Sequence, residues 1–171
     1  MQKIIKHKIT ARTAVQLLQS LPTLPANPQL QYTACTIIQR YACWLSASAV
    51  EDPSLTALMP PLLKLTMAVM TVHDASGGAA LAFASVCYNC APFVRELLPD
   101  MLQLLNGALR VETWHGAGSM RGKGGLELEE EDVYSIIDGI TTVVSVAAGR
   151  NDKEVRFLLS YHRCIVILLS K

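Results

Sequence analysis

The 171-residue chain is short of charge and of aromatic rings: Asp, Glu, Lys and Arg make up 17% of it and Phe, Trp and Tyr 6%, against 51% for AVILMFWYC residues. Soluble domains usually carry about a quarter charged residues. So little charge beside so much Leu, Ala, Val and Ile implies helices buried on more than one side, as inside a stack. A formal net charge of +1 provides no field for steering onto nucleic acid or an acidic membrane. The densest basic group, Lys3, Lys6, His7, Lys8 and Arg12, has no aromatic partners and reads as a solvated helix start. Direct binding to nucleic acid or to a membrane is therefore not expected.

Other absences narrow the class further. The first twelve residues lack the apolar core of a secretory signal. No stretch reaches the 18 or so uninterrupted apolar residues of a spanning helix. The stretch 133–148 is too short and carries Asp138, and 155–169 carries Arg156, His162 and Arg163. The five cysteines, Cys35, Cys43, Cys87, Cys90 and Cys164, are odd in number and fall mostly on apolar faces, which points to unpaired thiols in a reducing compartment.

Strand alternation is absent at any useful length, and what is present is helical periodicity throughout. A first helix is expected over 9–20, with Thr10 as N-cap, ended by the three prolines of Pro22, Pro25 and Pro28. A second covers 28–47, with Asn27 as N-cap and Pro28 in its first turn. Its apolar positions Leu30, Ala34, Ile37, Ile38, Tyr41, Trp44 and Leu45 keep the three-and-four spacing of one face. Asp52-Pro53 opens a third stretch to 72, a short turn and then a main helix from near Pro60. Asp74-Ala-Ser-Gly-Gly caps a fourth helix over 76–91, rich in Ala and broken by Pro92, and a fifth follows over 93–109.

Five glycines between positions 112 and 125 mark a flexible loop, placed at 112–126. The acidic run Glu127, Glu129, Glu130, Glu131 and Asp132 starts a sixth helix with the stripe Val133, Ile136, Ile137, Ile140, Val143, Val144 and Ala147, stopped at Gly149. A seventh is capped by Asn151 or Asp152 and runs to Lys171 without a terminator. The fold class expected is all-α, about seven helices in antiparallel hairpins. A hairpin every 40 or so residues is the spacing of HEAT-type repeats. On pattern alone, a compact helical bundle stands level with an α-α superhelix of HEAT-like or armadillo-type repeats.

Chemistry-bearing motifs lack their contexts. Cys87-Tyr-Asn-Cys90 has no second ligand pair for zinc, and it falls late in its helix, away from the N-terminus that stabilises a thiolate. His73 and His115 are isolated. Lys123 in the Gly-rich loop is followed by Gly124 where a phosphate loop needs Ser or Thr, and carboxylates come next. The run 129–132 has no apolar pocket to separate its pKa values. No catalytic, cofactor-binding or metal-binding residue is therefore assigned, no cofactor is expected, and the chain reads as a non-enzyme. Its partner-binding residues are left open.

Two stretches go beyond generic pattern. Leu21-Pro22-Thr-Leu-Pro25-Ala-Asn-Pro28-Gln-Leu-Gln-Tyr32-Thr33-Ala-Cys35 continues through Ile37, Tyr41 and Trp44-Leu45, and Ala79-Ala80-Leu81-Ala82-Phe83-Ala84-Ser85-Val86-Cys87-Tyr88-Asn89-Cys90 follows. With the later Glu131-Asp-Val-Tyr-Ser-Ile-Ile-Asp-Gly-Ile-Thr-Thr-Val-Val, they resemble the middle of transportin-SR receptors of the importin-β superfamily, especially plant-type members, over about residues 13 to 150. The resemblance implies a HEAT-repeat superhelix of a receptor that imports serine/arginine-rich splicing factors, releases them to Ran–GTP and shuttles between nucleus and cytoplasm. It implies too that 1–171 is one segment of a longer solenoid. The family's N-terminal Ran-contacting repeats and its arginine-rich cargo helix have no counterpart here, since Arg156 and Arg163 alone do not make that row. No functional residue is therefore carried over. The alternatives are a HEAT-repeat scaffold or adaptor outside nuclear transport, and a small enzyme using Cys87 and Cys90 or the Gly-rich loop.

Overall fold

A computed structural model describes residues 2–109 and 128–148, with the side chains of 2–10, 105–109, 130 and 148 left aside. The Gly-rich loop at 112–126, the helix expected after 150, Cys164, Arg156 and Arg163 lie outside the described residues. Six α-helices are described: α1 Gln2–Ser20, α2 Pro28–Glu51, α3 Met59–Val69, α4 Ser76–Val94, α5 Leu98–Leu109 and α6 Glu130–Ala148. The described residues contain no strand.

Local chemistry explains most boundaries. The Asn27 side chain accepts a hydrogen bond from the Leu30 N–H at 3.2 Å, and Pro28 takes the first turn, where its missing N–H costs nothing. Asp52 accepts from both the N–H and the hydroxyl of Ser54, at 3.1 and 2.6 Å, and starts the 3₁₀ turn Pro53–Leu58. Pro60 and Pro61 then sit in the opening turn of α3, as expected. At α6 the Asp132 carboxylate reaches back to the Glu129 N–H at 3.2 Å, one half of a capping box.

Four expectations are corrected. Helix α1 begins at Gln2 and runs through Thr10, which is therefore an interior position and not the N-cap. Helix α2 continues one turn past 47 to Glu51, because the stop signal is Asp52-Pro53: the residue before a proline is pushed out of the helical region, and Asp52 has φ −128° and ψ 92°. The N-cap of α4 is Ala75, without a side-chain cap bond, while Asp74 lies in the 3₁₀ turn His73–Ala75. Pro92 does not end α4. The helix bends at Cys90 (φ −114°, ψ 15°) and continues to Val94, so the next helix begins at Leu98 and not at 93. An interior proline costs about 3 kcal/mol in a free helix. Here the neighbouring layer holds the bent turn in place: the Ser46 hydroxyl donates to the Asn89 carbonyl at 2.5 Å.

Helix α4 is the centre of the packing and touches α2, α3 and α6. It carries no charged residue, and Ala79, Ala80, Ala82, Phe83, Val86, Cys87, Cys90, Ala91 and Val94 are all buried. Three contacts set its direction relative to α2. The Tyr32 ring lies over Gly78, so close that a Cβ there would sit 2.8 Å from it; the Cys90 thiol donates to the Ala42 carbonyl at 3.6 Å; and Ser46 meets Asn89. The early part of α2 meets the early part of α4 and late meets late, so the two run parallel. On the other flank Gly77 lies by Asp132, and Gly139 packs into Ala84 and Cys87, where a Cβ would stand 3.2 and 3.1 Å away. Helix α6 therefore also runs parallel to α4.

An up-and-down bundle makes neighbours antiparallel around one shared core. Here α2, α4 and α6 form one layer of parallel neighbours, each reached through an intervening helix, with α3 behind α4 and α5 behind α6. That is the α-α superhelical repeat arrangement, and it settles the choice against a bundle. Residues in contact between α2 and α4 lie about 43 to 48 residues apart, longer than the 40 expected and towards the upper end of HEAT-type spacing.

By length and composition His73–Leu104 is apolar enough to cross a membrane, a property that a count of uninterrupted apolar residues does not reveal. Its physical basis is the layer: 56% of the most apolar stretch is buried against neighbouring helices, and the 3₁₀ turn Arg95–Leu97 interrupts it.

Candidate protein-docking surface

Buried on its α2, α3 and α6 sides, α4 keeps one narrow face open. Leu81 and Tyr88, seven residues apart and thus on one face, are 46% and 50% exposed. Ser85, Asn89 and Pro92 complete the strip. Next to it stands Tyr32 of α2, 48% exposed, its ring on Gly78 one turn before Leu81. Half-exposed Leu81 and Tyr88 on the uncharged helix α4, with Tyr32 of α2 beside them, make a surface of the composition that protein partners cover: large contact area at little side-chain entropy cost. Among the exposed residues of the flanking helices are Arg40 on α2 and Asp138 on α6.

A second surface opens on the other side of α2. Between α1, α2 and the turn Pro53–Leu58 lies a groove of about 480 Å³. One wall is Trp44, Ser48 and Glu51, spaced four and three residues apart on α2, and the facing wall includes Val15 and Gln19 of α1. Leu55 and Leu58 contribute apolar lining, and Arg12 and Asp52 also face the space. The Trp44 ring is held edge-on to Tyr41, centroids 5.8 Å apart at 86°.

The CxxC cysteines are core residues. Cys87 and Cys90 are fully buried, as is Cys35, whereas Cys43 is exposed. Burial pushes the Cys35 thiol up to about 11 and, with neighbouring Cys43 adding to it, the Cys90 thiol up to about 12; Cys87 is raised as well, by burial and then by Cys90. Thiols raised in this way are the reverse of the low-pKa nucleophiles of redox enzymes. The described residues contain no cluster of three His, Cys, Asp or Glu able to hold a metal. Glu131 of the acidic run is solvated, and Asp132 serves the start of α6.

Neither docking surface was legible as such. Tyr32 belonged to a sequence motif without a role, and Trp44 read as part of a core stripe. Ending α2 at 47 left Glu51 off the face that carries Trp44. The available signal was Asp52-Pro53.

Over 138 residues the chain is 26% identical to Transportin MOS14 of Arabidopsis thaliana. The match covers 80% of this chain and 13% of that protein, so the chain corresponds to a small part of the relative's length. No protein-family model and no solved structure matches it.

Proposed function

We propose that the chain is a helical-repeat segment of a nuclear transport receptor. The receptor would be a longer solenoid that carries serine/arginine-rich splicing factors into the nucleus and gives them up to Ran–GTP, moving between cytoplasm and nucleus as it does so. The observation that carries this reading is the 138-residue match to a transportin, which coincides with a parallel-layer repeat fold. A stack of hairpins suits the role because each unit buries its faces against its neighbours and leaves a long, shape-stable surface for protein partners. In this reading the segment binds partners without performing chemistry.

Two measurements test it. An immunoblot of the endogenous protein with an antibody against residues 112–132 is expected to show a band several times heavier than 18.6 kDa. The endogenous protein, captured on beads, is expected to hold an arginine/serine-rich peptide and release it on addition of Ran–GTP. Retention unaffected by Ran would sink the transport reading and hand the chain to the scaffold alternative.

A further inference from the structure

The CxxC of α4 is divided between two neighbours. Cys87 faces α6, where its Sγ stands 3.6 Å from the position of a Cβ on Gly139. Cys90 faces α2 instead, and its thiol donates to the Ala42 carbonyl at 3.6 Å. The next residue along α2 is Cys43. A carbonyl oxygen lies about 2.8 Å from the following Cα across a trans peptide, so the Cys90 sulfur is within about 6.4 Å of the Cys43 Cα. Burial comes first among the causes that raise the Cys90 thiol and Cys43 second, which marks the two sulfurs as neighbours.

Two features let this pair close. Cys43 is exposed, so its side chain has room to rotate. Cys90 sits at the bend of α4, with φ −114° and ψ 15°, and Pro92 just beyond it has no N–H to hold the preceding turn. The backbone is thus softest where it would have to give. Access also fixes an order of events. Cys90 is 0% exposed, so an oxidant from solvent meets Cys43 first.

From this geometry we infer that Cys43 and Cys90 are a reversible redox pair, which hydrogen peroxide converts to a disulfide tying α2 to α4. The Cys43 thiolate attacks one peroxide oxygen; the O–O bond breaks, an S–O bond forms, and the leaving hydroxide takes up a proton to become water. The Cys90 sulfur then attacks the sulfur of the Cys43 sulfenic acid. An S–S bond forms as the S–O bond breaks, and the departing hydroxide takes the Cys90 proton as a second water. Two thiols are oxidised and one peroxide is reduced to two waters. Because burial holds Cys90 as the thiol, the second step is the slower one. Thiol reductants reverse the bond by exchange, and transient disulfides of this kind are the form that redox sensing takes in a reducing compartment. In a stack whose units contact only their neighbours, the link fixes one seam. The inference needs no partner protein and stands apart from the transport reading.

The test uses the 171-residue chain, reduced, exposed to hydrogen peroxide, blocked with iodoacetamide in denaturant and digested without reductant. Peptide mass spectrometry, with fragment ions that separate Cys87 from Cys90, is expected to show Cys43 joined to Cys90 by a bond that dithiothreitol breaks. Cys35 and Cys87 are expected to carry the alkyl label. In Cys90→Ala the link is lost and dimedone traps Cys43 as the sulfenic acid, whereas in Cys87→Ala the link persists. Cys43→Ser, at an exposed position outside the core, is expected to leave Cys90 reduced and alkylated. A Cys87–Cys90 bond overturns the pairing, as does a Cys43 bond to another cysteine or to a second chain. Cys43 that stays fully alkylatable, or that passes to the sulfinic acid with Cys90 untouched, overturns it equally.

Discussion

The two seams that flank the described stack are closed by different means. Between α4 and α6, Gly139 sets its backbone against Ala84 and Cys87, leaving too little room for an added carbon unless a neighbour shifts. Between α1 and α2, Trp44, Gln19 and Arg12 line an open groove of about 480 Å³. The first seam is closed where Gly139 meets Ala84 and Cys87, small residues that let the backbones approach. The second is built from long and aromatic ones and keeps polar groups facing open space. Stability and recognition are thus separated within one stack: the α4 seams hold the layers in register, and the α1 side offers a surface.

Substitutions that break this contrast fall in a definite order. Phe83 is fully buried in α4, and Phe83→Ala is expected to cost about 3–5 kcal/mol, read as a drop in the chemical-denaturation midpoint. Next comes Gly139→Val, whose branches meet the α4 backbone at Ala84, with an expected cost of about 1–3 kcal/mol. The matching enlargement on the open seam, Ala11→Leu, points into the groove and is expected to change stability by no more than about 0.5 kcal/mol. Equal costs for the two enlargements would erase the contrast. Asn27→Ala, which removes the cap of α2 away from both seams, is expected to cost about 1 kcal/mol.

The thiols supply a chemical version of the same contrast. Iodoacetamide at neutral pH is expected to label Cys43 in the folded chain and to reach Cys35, Cys87 and Cys90 only after denaturant is added, as read by peptide mass spectrometry. Because folding raises the pKa of the buried thiols, the unfolded chain releases their protons first. Their contribution to stability is fully present below about pH 9 and is lost as pH rises towards about 11 for Cys35 and about 12 for Cys90. Denaturation midpoints measured from about pH 8 to about pH 10.5 should therefore fall. A flat profile would mean that these thiols are solvated in the folded state.

Much of the helix order was legible because it rests on local chemistry. Asn27-Pro28 starts α2, Pro60-Pro61 opens α3, and the Ile and Val stripe of α6 repeats every three or four residues. What failed was set by partners distant in sequence. Pro92 carries a strong local signal to stop, and only the parallel neighbour, through Ser46 and Asn89, shows why α4 bends and continues. Helical pattern alone left bundle and stack level, because Gly78 under Tyr32 and Gly139 against Ala84 are pairings that no single helix reveals; the family resemblance pointed to the stack, and the fold bears it out. The groove depends on the final turn of α2, the part of the helix that periodicity defines least well.

Parallel stacking of α2, α4 and α6 is the premise on which both the repeat fold and the docking surfaces stand. Nuclear Overhauser spectra of the isotope-labelled chain test it most directly. Parallel layers predict cross-peaks from the Tyr32 ring to Gly78 and from Gly139 to the side chains of Ala84 and Cys87. If Gly139 instead meets the first turn of α4 around Ser76, or Tyr32 meets the turn near Pro92, the helices run antiparallel and the stack is wrong.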